Sequence, residues 1–394
     1  MMLTEDIHYV GVNDRRKHRF EGLWPLPAGV SYNSYLVTDQ KVALIDTVDA
    51  CFFETFLRKV RAVLGNRSID YLVINHMEPD HSGSISLLRH YYPNLQVVGN
   101  KKTLEMLAGY YGCQGPEPLC VAEGSTLELG KHRLRFHLIP MVHWPETMVS
   151  YDETNGVLFS GDAFGCFGAL NGGVTDTTIN VSAYWSEMER YYSNIVGKYG
   201  VPVQRALKKL EGLDLRMICS THGPVWTEQI PAVVATYDRL SRYEGEPGVV
   251  VAYGSMYGNT EQMAETIAEE LSLKGVRNIV MHDLSRSHLS YVLADIFRYN
   301  GLVLGAPTYN NGIYPPMKAL LEALANRELK NRTVGVFGSF SWAGKAACTL
   351  ECFATGQAGF KTIGPAVEMK QGFGDEAEQN CRALGQQMAE AILA

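Results

Sequence analysis

The sequence predicts a two-domain α/β protein, in which a β-rich domain with interspersed helices precedes an open, doubly wound parallel sheet. Short apolar runs separated by turns dominate the first half, whereas strands and helices alternate regularly after residue 248. The length of 394 residues fits two or three domains. We therefore expect an α+β domain over residues 1–246 and an α/β domain over residues 247–394.

The composition is that of an ordinary globular protein, with 46% hydrophobic and 20% charged residues. A net charge of −7 without any basic stripe argues against nucleic acid as a partner. No apolar run is long enough to cross a membrane, and the N-terminus shows no signal-peptide pattern. We therefore expect a cytoplasmic protein that binds no membrane.

The eight cysteines are scattered along the chain, and no Cys-x-x-Cys pair occurs. The closest two are Cys348 and Cys352. This spacing argues against a disulfide framework, a zinc ribbon or a built-in rubredoxin. We expect most of the cysteines to be small buried hydrophobic residues.

In the first domain, two strands are predicted around a turn at residues 38–40, and a helix follows them. A buried strand then precedes a polar loop, and several strands joined by turns complete the domain. The predicted strands are Ser31–Val37, Lys41–Thr47, Ile69–Asn75, Gln96–Gly99, Thr126–Leu129, Leu134–Ile139, Met148–Tyr151 and Val157–Ser160, and the first helix is Phe52–Leu64.

Residues 244–248, Glu-Gly-Glu-Pro-Gly, are typical of a linker. Five strands alternating with five helices follow it, which indicates a parallel sheet wound on both sides. The predicted strands are Val249–Tyr253, Asn278–Met281, Gly301–Gly305, Thr333–Phe337 and one near Ile363. The predicted helices include Thr260–Lys274, Leu289–Arg298, Met317–Glu328 and a last one from Glu376.

Four side chains that can bind metal ions lie within six residues, directly after the buried strand that ends at Asn75. Loops at strand ends are where sites are usually built. His76, Glu78 and Asp80 alternate, so in an extended loop they could converge on one centre. His81 follows directly and must point elsewhere, which suggests a second centre. The alternative is a polar loop with solvated charges.

Three further candidate ligands, His143, Asp162 and His222, follow other predicted strands. Loops on one edge of a layered fold would bring them towards the first four. Taken singly, each histidine could equally be a satisfied loop residue. The remaining histidines that occupy no such position are interpreted as surface or structural residues: His8, His18, His90, His132, His282 and His288.

These residues, in this order, resemble the metal motifs of the metallo-β-lactamase superfamily, with Asp46 matching its early structural aspartate. Its zinc hydrolases have His-x-His-x-Asp-His, whereas Glu78 stands at the second position here. A carboxylate adds a hard oxygen donor that favours iron over zinc. That variant is typical of flavodiiron proteins, so the first domain is expected to be a metallo-β-lactamase-like αββα sandwich.

The resemblance implies two non-haem irons per chain. One would be bound by His76, Glu78 and His143, and the other by Asp80, His81 and His222, with Asp162 as a bridge. A helix of the family places a tyrosine near this site. Tyr191 and Tyr192 are the candidates, and packing of the helix is the alternative role for both.

The first strand of the second domain runs into Gly254–Thr260, Gly-Ser-Met-Tyr-Gly-Asn-Thr, and then into a helix. Backbone N–H groups, hydroxyls and the helix N-terminus there could surround a phosphate. The triphosphate-loop and dinucleotide patterns are both absent. The loop resembles that of flavodoxins, with Tyr257 where many of them have threonine.

Two later strand ends lie at the same carboxyl edge, where this topology binds ligands. Together the three loops predict an FMN site on a flavodoxin-like five-stranded sheet, with Tyr309 or Trp342 stacking on the flavin ring. The alternative is a flavodoxin-like domain without flavin. The predicted FMN contacts are Ser255, Met256, Tyr257, Gly258, Asn259, Thr260, Pro307, Thr308, Tyr309, Asn310, Gly312, Ser339, Phe340, Ser341, Trp342 and Gly344.

The resemblance covers nearly the whole chain and implies that electrons pass from FMN to the irons, where O2 is reduced to water or NO to nitrous oxide. It also implies a head-to-tail homodimer, or a dimer of such dimers, that sets the FMN of one subunit beside the irons of the other. No rubredoxin or reductase segment follows the second domain, so we expect a separate donor, rubredoxin or reduced coenzyme F420.

Two rival functions remain open at this point. A zinc metallohydrolase with a fused flavodoxin domain would share the fold but would not require Glu78. An electron carrier with an inert β-rich domain would leave the seven aligned ligands unexplained.

Overall fold

The computed structural model describes residues 1–112 and 115–394. The chain divides into two compact units, Met1–Asp238 and Arg239–Ala394, and the boundary falls within the helix Ile230–Ser241. Among the helices of the described residues, none combines the length and the apolar character needed to cross a membrane.

The first unit is built mainly from short strands. Its strands are β1 (Ile7–Tyr9), β2 (Val12–Asp14), β3 (Arg19–Phe20), β4 (Trp24–Pro25), β5 (Val30–Tyr32), β6 (Tyr35–Thr38), β7 (Val42–Ile45), β8 (Tyr71–Val73), β9 (Gln96–Asn100), β10 (Leu119–Val121), β11 (Thr126–Glu128), β12 (Arg133–Leu138), β13 (Met148–Asp152), β14 (Val157–Gly161) and β15 (Met217–Ser220). Its helices are α1 (Phe53–Leu64), α2 (Pro79–Ser82), α3 (Ile85–Tyr91), α4 (Lys101–Tyr111), α5 (Ser182–Tyr191), α6 (Gly200–Leu210) and α7 (Ile230–Ser241).

Two mixed sheets form the centre of this unit. One has the strand order β1-β6-β7-β8-β9-β10, and the other has the order β11-β12-β13-β14-β15. Their inner faces meet, because Tyr35 of β6 packs 5.5 Å from the ring of Phe159 in β14 and donates its hydroxyl hydrogen bond to the Ser220 carbonyl in β15. Loops at the ends of β8, β14 and β15 carry predicted metal ligands, so this pairing brings them to one edge.

The predicted strand Ser31–Val37 is broken into β5 and β6 at Asn33. Asn33 donates a backbone hydrogen bond to the Thr221 carbonyl, and its side-chain amide donates to the carbonyls of Ser220 and Gly223. A regular strand would turn the Asn33 backbone N–H towards a neighbouring strand. The break therefore anchors the loop that carries His222.

The second unit is a sheet with helices at the connections between its strands. Its strands are β16 (Glu246–Tyr253), β17 (Ile279–Asp283), β18 (Tyr299–Tyr309), β19 (Gly312–Ile313), β20 (Arg332–Phe340), β21 (Phe360–Thr362) and β22 (Val367–Lys370). Its helices are α8 (Asn259–Leu273), α9 (Leu289–Arg298), α10 (Pro315–Asn326), α11 (Ala346–Gly356) and α12 (Asp375–Leu393).

The parallel sheet has five positions in the order β17-β16-β18-β20-β21, which confirms the doubly wound prediction. β21 and β22 both pair with β20, so the fifth position is occupied by two short strands, while β19 adds an antiparallel pair to β18. The first strand begins at Glu246, earlier than the predicted Val249. Part of the predicted linker is therefore strand.

The expectation that most of the cysteines are buried is wrong for the described residues. Buried cysteines are Cys166, Cys219 and Cys381, and exposed ones are Cys51, Cys120, Cys348 and Cys352. Cys113 lies outside the described residues.

Candidate metal centre and flavin site

The predicted metal loop follows β8, but it is not extended throughout. Pro79 begins the short helix α2, as proline often does at the first helical position. Asp80 and His81 are therefore on one helical turn, and the alternation expected from His76 to Asp80 stops at Glu78. As a result Asp80 lies with His81 and His222, away from the position that simple alternation predicts.

One group of donor atoms surrounds a small space between His76, His143, Glu78 and Asp162. His143 Nε2 lies 3.2 Å from Glu78 Oε2 and 3.0 Å from Asp162 Oδ2. His76 Nε2 lies 3.3 Å from His143 Nε2, 3.6 Å from Glu78 Oε2 and 3.7 Å from Asp162 Oδ2. The four side chains are buried.

A second group contains Asp80, His81 and His222 and faces the other oxygen of Asp162. His81 Nε2 lies 3.2 Å from Asp162 Oδ1 and 3.6 Å from Asp80 Oδ1. His222 Nε2 lies 3.4 Å from Asp80 Oδ2 and 3.6 Å from Asp162 Oδ1. Asp162 thus turns Oδ2 towards one group and Oδ1 towards the other. The structure brings all seven predicted ligands together.

The donor set fits a pair of metal ions. Donors bound at about 2.1 Å in tetrahedral or octahedral geometry lie roughly 3.0–3.4 Å from each other, which is close to the separations observed here. Within the described residues, several buried donor atoms make no hydrogen bond: Glu78 Oε2, both carboxylate oxygens of Asp80, both ring nitrogens of His81, and His222 Nε2. Such groups are costly unless a ligand satisfies them.

The electrostatics of the cluster also suit a cation. Burial alone would lower the pKa of His81, but the charges of Asp162 and Asp80 raise it to about 10. Burial likewise opposes protonation of His143, and hydrogen bonds to Asp162 and Glu78 raise its pKa to about 10. The carboxylates therefore attract positive charge strongly, and a bound metal ion would displace the protons.

Four hydrogen bonds to the ligand segments were not predicted from sequence. Glu146 Oε1 lies 2.6 Å from His76 Nδ1 and accepts the Met77 N–H at 2.9 Å. The Ser31 carbonyl oxygen lies 2.8 Å from His222 Nδ1. Thr221 donates its hydroxyl to Asp162. The proximity of Glu146 to His143 in sequence was the only available signal for the first of these contacts.

The structure distinguishes the two candidate tyrosines. The Tyr191 ring lies 5.9 Å from the His222 ring, and the pKa of its hydroxyl is raised by burial and then by the charge of Asp162. Tyr192 instead packs edge-on against Tyr237 at 4.9 Å. Tyr191 is therefore the one that faces the ligand cluster.

A cavity of about 490 Å³ opens onto the cluster, with Glu78 and Asp80 in its wall. The rest of its lining is provided by Lys17, Phe20, Glu21, Asp49, Ala50, Pro79, Gly83, Tyr110 and Tyr111. This volume lies in the range of sites for small organic molecules. It is much larger than a diatomic gas requires.

In the second unit, the predicted phosphate loop begins helix α8. Gly258 has φ of +89° and precedes the helix, and its N–H donates to Ser255 Oγ at 3.1 Å. The hydroxyl oxygens of Thr260 and Ser339 are 2.8 Å apart, which joins the first and the fourth strand ends. A positive φ favours glycine, because other residues meet a steric penalty there.

The three loops line a cleft of about 80 Å³, which would enclose only part of a flavin nucleotide. Predicted contacts in its wall are Ser255, Met256, Tyr257, Asn259, Thr260, Pro307, Thr308, Ser339, Phe340 and Ser341, and Gln371 joins them without having been predicted. Predicted contacts outside its wall are Gly258, Tyr309, Asn310, Gly312, Trp342 and Gly344. Tyr257 in its wall and Trp342 outside it are 90% and 84% exposed.

Comparisons with known proteins agree with this description. Residues 30–223 match the family described as ODP family beta lactamase, and residues 251–385 match flavodoxin. The anaerobic nitric oxide reductase flavorubredoxin of Vibrio vulnificus is 31% identical over 98% of this chain and 79% of that protein.

Solved structures are similar over both units. Rubredoxin oxygen:oxidoreductase from Desulfovibrio gigas has a TM-score of 0.94 and 29% identity, over 100% of this chain and 98% of that one. The flavodiiron protein of Giardia intestinalis has a TM-score of 0.92 and 27% identity, over 99% and 96%. These matches confirm the predicted αββα sandwich and flavodoxin-like sheet, and the chain belongs to the flavodiiron protein family of oxidoreductases.

Proposed function

We propose that this protein passes electrons from an external donor through FMN to two non-haem irons, where O2 is reduced to water or NO to nitrous oxide. The observation that carries the proposal is Asp162, whose two carboxylate oxygens face two separate groups of donors. Such a carboxylate can bridge two metal ions about 3.5–4 Å apart.

His76, Glu78 and His143 would hold one iron, and Asp80, His81 and His222 the other. Glu78 supports iron rather than zinc, because its oxygen adds a hard donor to the His76 and His143 pair. FMN exchanges electrons singly or in pairs, and paired irons can bind and reduce a diatomic gas. The buried walls formed by Tyr191 and Phe20 would limit the access of water to these ligands.

The flavin would bind at the cleft lined by the three loops of the second unit. The Gly258–Thr260 segment would bind the phosphate through its N–H groups, the Thr260 hydroxyl and the positive end of α8. The exposed rings of Tyr257, Tyr309 and Trp342 would cover the isoalloxazine. A separate electron donor, rubredoxin or reduced coenzyme F420, would reduce it. The similar Desulfovibrio gigas protein is a rubredoxin oxygen:oxidoreductase, which supports rubredoxin as the donor.

We also propose a head-to-tail homodimer, which pairs the flavin of one subunit with the irons of the other. Two observations support it. The cavity at the metal ligands is far larger than a gas molecule needs, and large aromatic side chains are exposed around the flavin cleft. Exposed apolar patches of this kind commonly mark interfaces.

Complementation tests the dimer. A Glu78→Ala subunit, which lacks a metal ligand, is mixed with a Thr260→Asp subunit, whose new carboxylate would repel the flavin phosphate. If electrons cross between subunits, the mixed dimer holds one working pair and regains activity that neither variant shows alone. Activity that stays absent in a verified mixed dimer would contradict the proposal.

The reaction itself is tested anaerobically. The purified protein is fully reduced and mixed with O2 or with NO, and flavin reoxidation is followed for each gas. Fast reoxidation with one gas identifies the substrate, and comparable rates indicate a dual scavenger. Slow reoxidation by both gases, in protein that holds zinc, would instead favour a metallohydrolase.

A further inference from the structure

We propose that Glu146 makes the two metal positions unequal in affinity. Its carboxylate is hydrogen-bonded to His76, and no other histidine ligand has a carboxylate partner at its second ring nitrogen within the described residues. The inference rests on the proposed pair of metal sites and adds a positioning residue that binds no metal itself. It predicts that the position formed by His76, Glu78 and His143 holds its ion more tightly than the other.

Glu146 is fixed on several sides. It is 1% exposed, and its Oε1 lies 2.6 Å from His76 Nδ1 while also accepting the Met77 N–H. Its own carbonyl oxygen accepts a hydrogen bond from the side-chain amide of Asn100, whose Oδ1 caps α4. Because the carboxylate accepts, His76 carries its proton on Nδ1. The Nε2 lone pair is then directed towards Glu78 and Asp162.

The other position has no equivalent carboxylate partner within the described residues. His222 Nδ1 lies 2.8 Å from a neutral acceptor, the Ser31 carbonyl oxygen. His81 Nδ1 makes no hydrogen bond. Apart from the shared Asp162, the first position thus has the carboxylate of Glu78 and the hydrogen-bonded carboxylate of Glu146. The second has the carboxylate of Asp80, and the nearby Asp46 acts on His81 through its charge without a hydrogen bond.

This difference has two physical consequences. An imidazole hydrogen-bonded to a carboxylate is a better metal donor, and such partners typically change metal affinity 10–100-fold. The additional negative charge in a buried, low-dielectric setting also stabilises the more highly charged ion. The ion at the Glu146 side is therefore bound more tightly and is easier to oxidise.

The test is an anaerobic titration of metal-depleted protein with Fe(II) against a chromophoric chelator. Two resolved binding steps are expected for the natural protein. Glu146→Gln keeps an oxygen acceptor and removes the charge, so the tighter step should weaken about 10–100-fold and merge with the second. Asp176→Asn is the matched control, since Asp176 is a buried carboxylate that accepts from Thr227 and Gln229.

Two equal steps in the natural protein, or unchanged steps in Glu146→Gln, would overturn the inference while leaving the metal sites intact. Failure of the natural protein to bind two ions would instead refute the proposed function.

If thermal unfolding shows that Glu146→Gln does not fold, the Mössbauer spectrum of the natural protein loaded with iron provides the test. Two distinct doublets are expected, and a single doublet for both ions would refute the asymmetry.

Discussion

Asp46 holds the start of the metal loop through Asn75. Its Oδ1 accepts the Asn75 N–H at 2.8 Å, and its Oδ2 lies 3.2 Å from Asn75 Nδ2. Asp46 is buried and has φ of +52°, which is uncommon for a residue with a side chain. Asn75 also lies 2.7 Å from Ser150 through its side-chain oxygen. These bonds place His76, the next residue, at the edge shared by both sheets.

Replacing Asp46 by alanine should therefore loosen the metal loop. The buried Asn75 N–H loses its acceptor, and Asn75 Nδ2 keeps only the Phe159 carbonyl at 3.4 Å. An unsatisfied buried group costs about 1–3 kcal/mol in the free energy of unfolding. Urea unfolding and metal analysis check this, and we expect less bound iron with normal flavin content. Asp214→Ala, at an exposed carboxylate, should change neither quantity. Full iron content in Asp46→Ala would contradict the positioning role.

Thr260→Val should weaken FMN binding. The substitution keeps the shape of the side chain but removes a hydroxyl that faces Ser339 and the cleft. Loss of a hydrogen bond worth about 1.5–3 kcal/mol to a charged group corresponds to roughly 10–100-fold in Kd. Flavin fluorescence measures this change in Kd. The matched control is Thr266→Val on the same helix, where the hydroxyl donates to the Gln262 carbonyl. An equal effect at both positions would indicate damage to α8 instead.

Arg332→Met should destabilise the second unit. Arg332 is 1% exposed and donates to five backbone carbonyls, those of Ile296, Phe297, Tyr243, Lys330 and Asn331. Burial lowers its pKa to about 9. Removal of the guanidinium takes the donor from these buried carbonyl oxygens, which should cost about 1–3 kcal/mol in unfolding free energy for each one left unsatisfied. Arg286→Met, at an 88% exposed side chain, should change it little. A similar midpoint of denaturant unfolding for both variants would refute this account.

His132 should make stability depend on pH. Its Nδ1 lies 3.0 Å from Asp152 and its Nε2 3.2 Å from Asp6, which also contacts Lys131. The hydrogen bond to Asp152 raises the pKa of His132 above its ordinary 6.5, although burial opposes this. Protonated His132 is thus favoured by folding. Its contribution is complete below pH 6.5 and is lost as the pH rises through the folded-state pKa.

His132→Gln should remove this dependence. We expect a loss of about 1 kcal/mol in unfolding free energy at pH 5.5 and a smaller loss at pH 9. Urea midpoints measured across this range are the readout, and His90→Gln on the exposed end of α3 is the control. If His132→Gln and the natural protein lost stability in parallel as the pH rises, the pH dependence would not be due to His132.

Much of the site followed from local sequence. His76, Glu78, Asp80 and His81 are close in the chain, and the Gly254–Thr260 loop precedes its helix directly. Strand patterns placed His143, Asp162 and His222 at strand ends, because a buried strand is visible as an apolar run. The order of these motifs then identified the family, which the comparisons confirm.

The family resemblance implied how the ligands divide between two positions, but only the tertiary structure gave the physical reason for the division. Asp80 leaves its alternating place because Pro79 begins a helix. Tyr191 rather than Tyr192 faces His222 because of the way α5 packs. Glu146 meets His76 across 70 residues of sequence. Contacts of this kind depend on packing between separate elements, and local patterns of polarity do not encode which buried partner a side chain will meet.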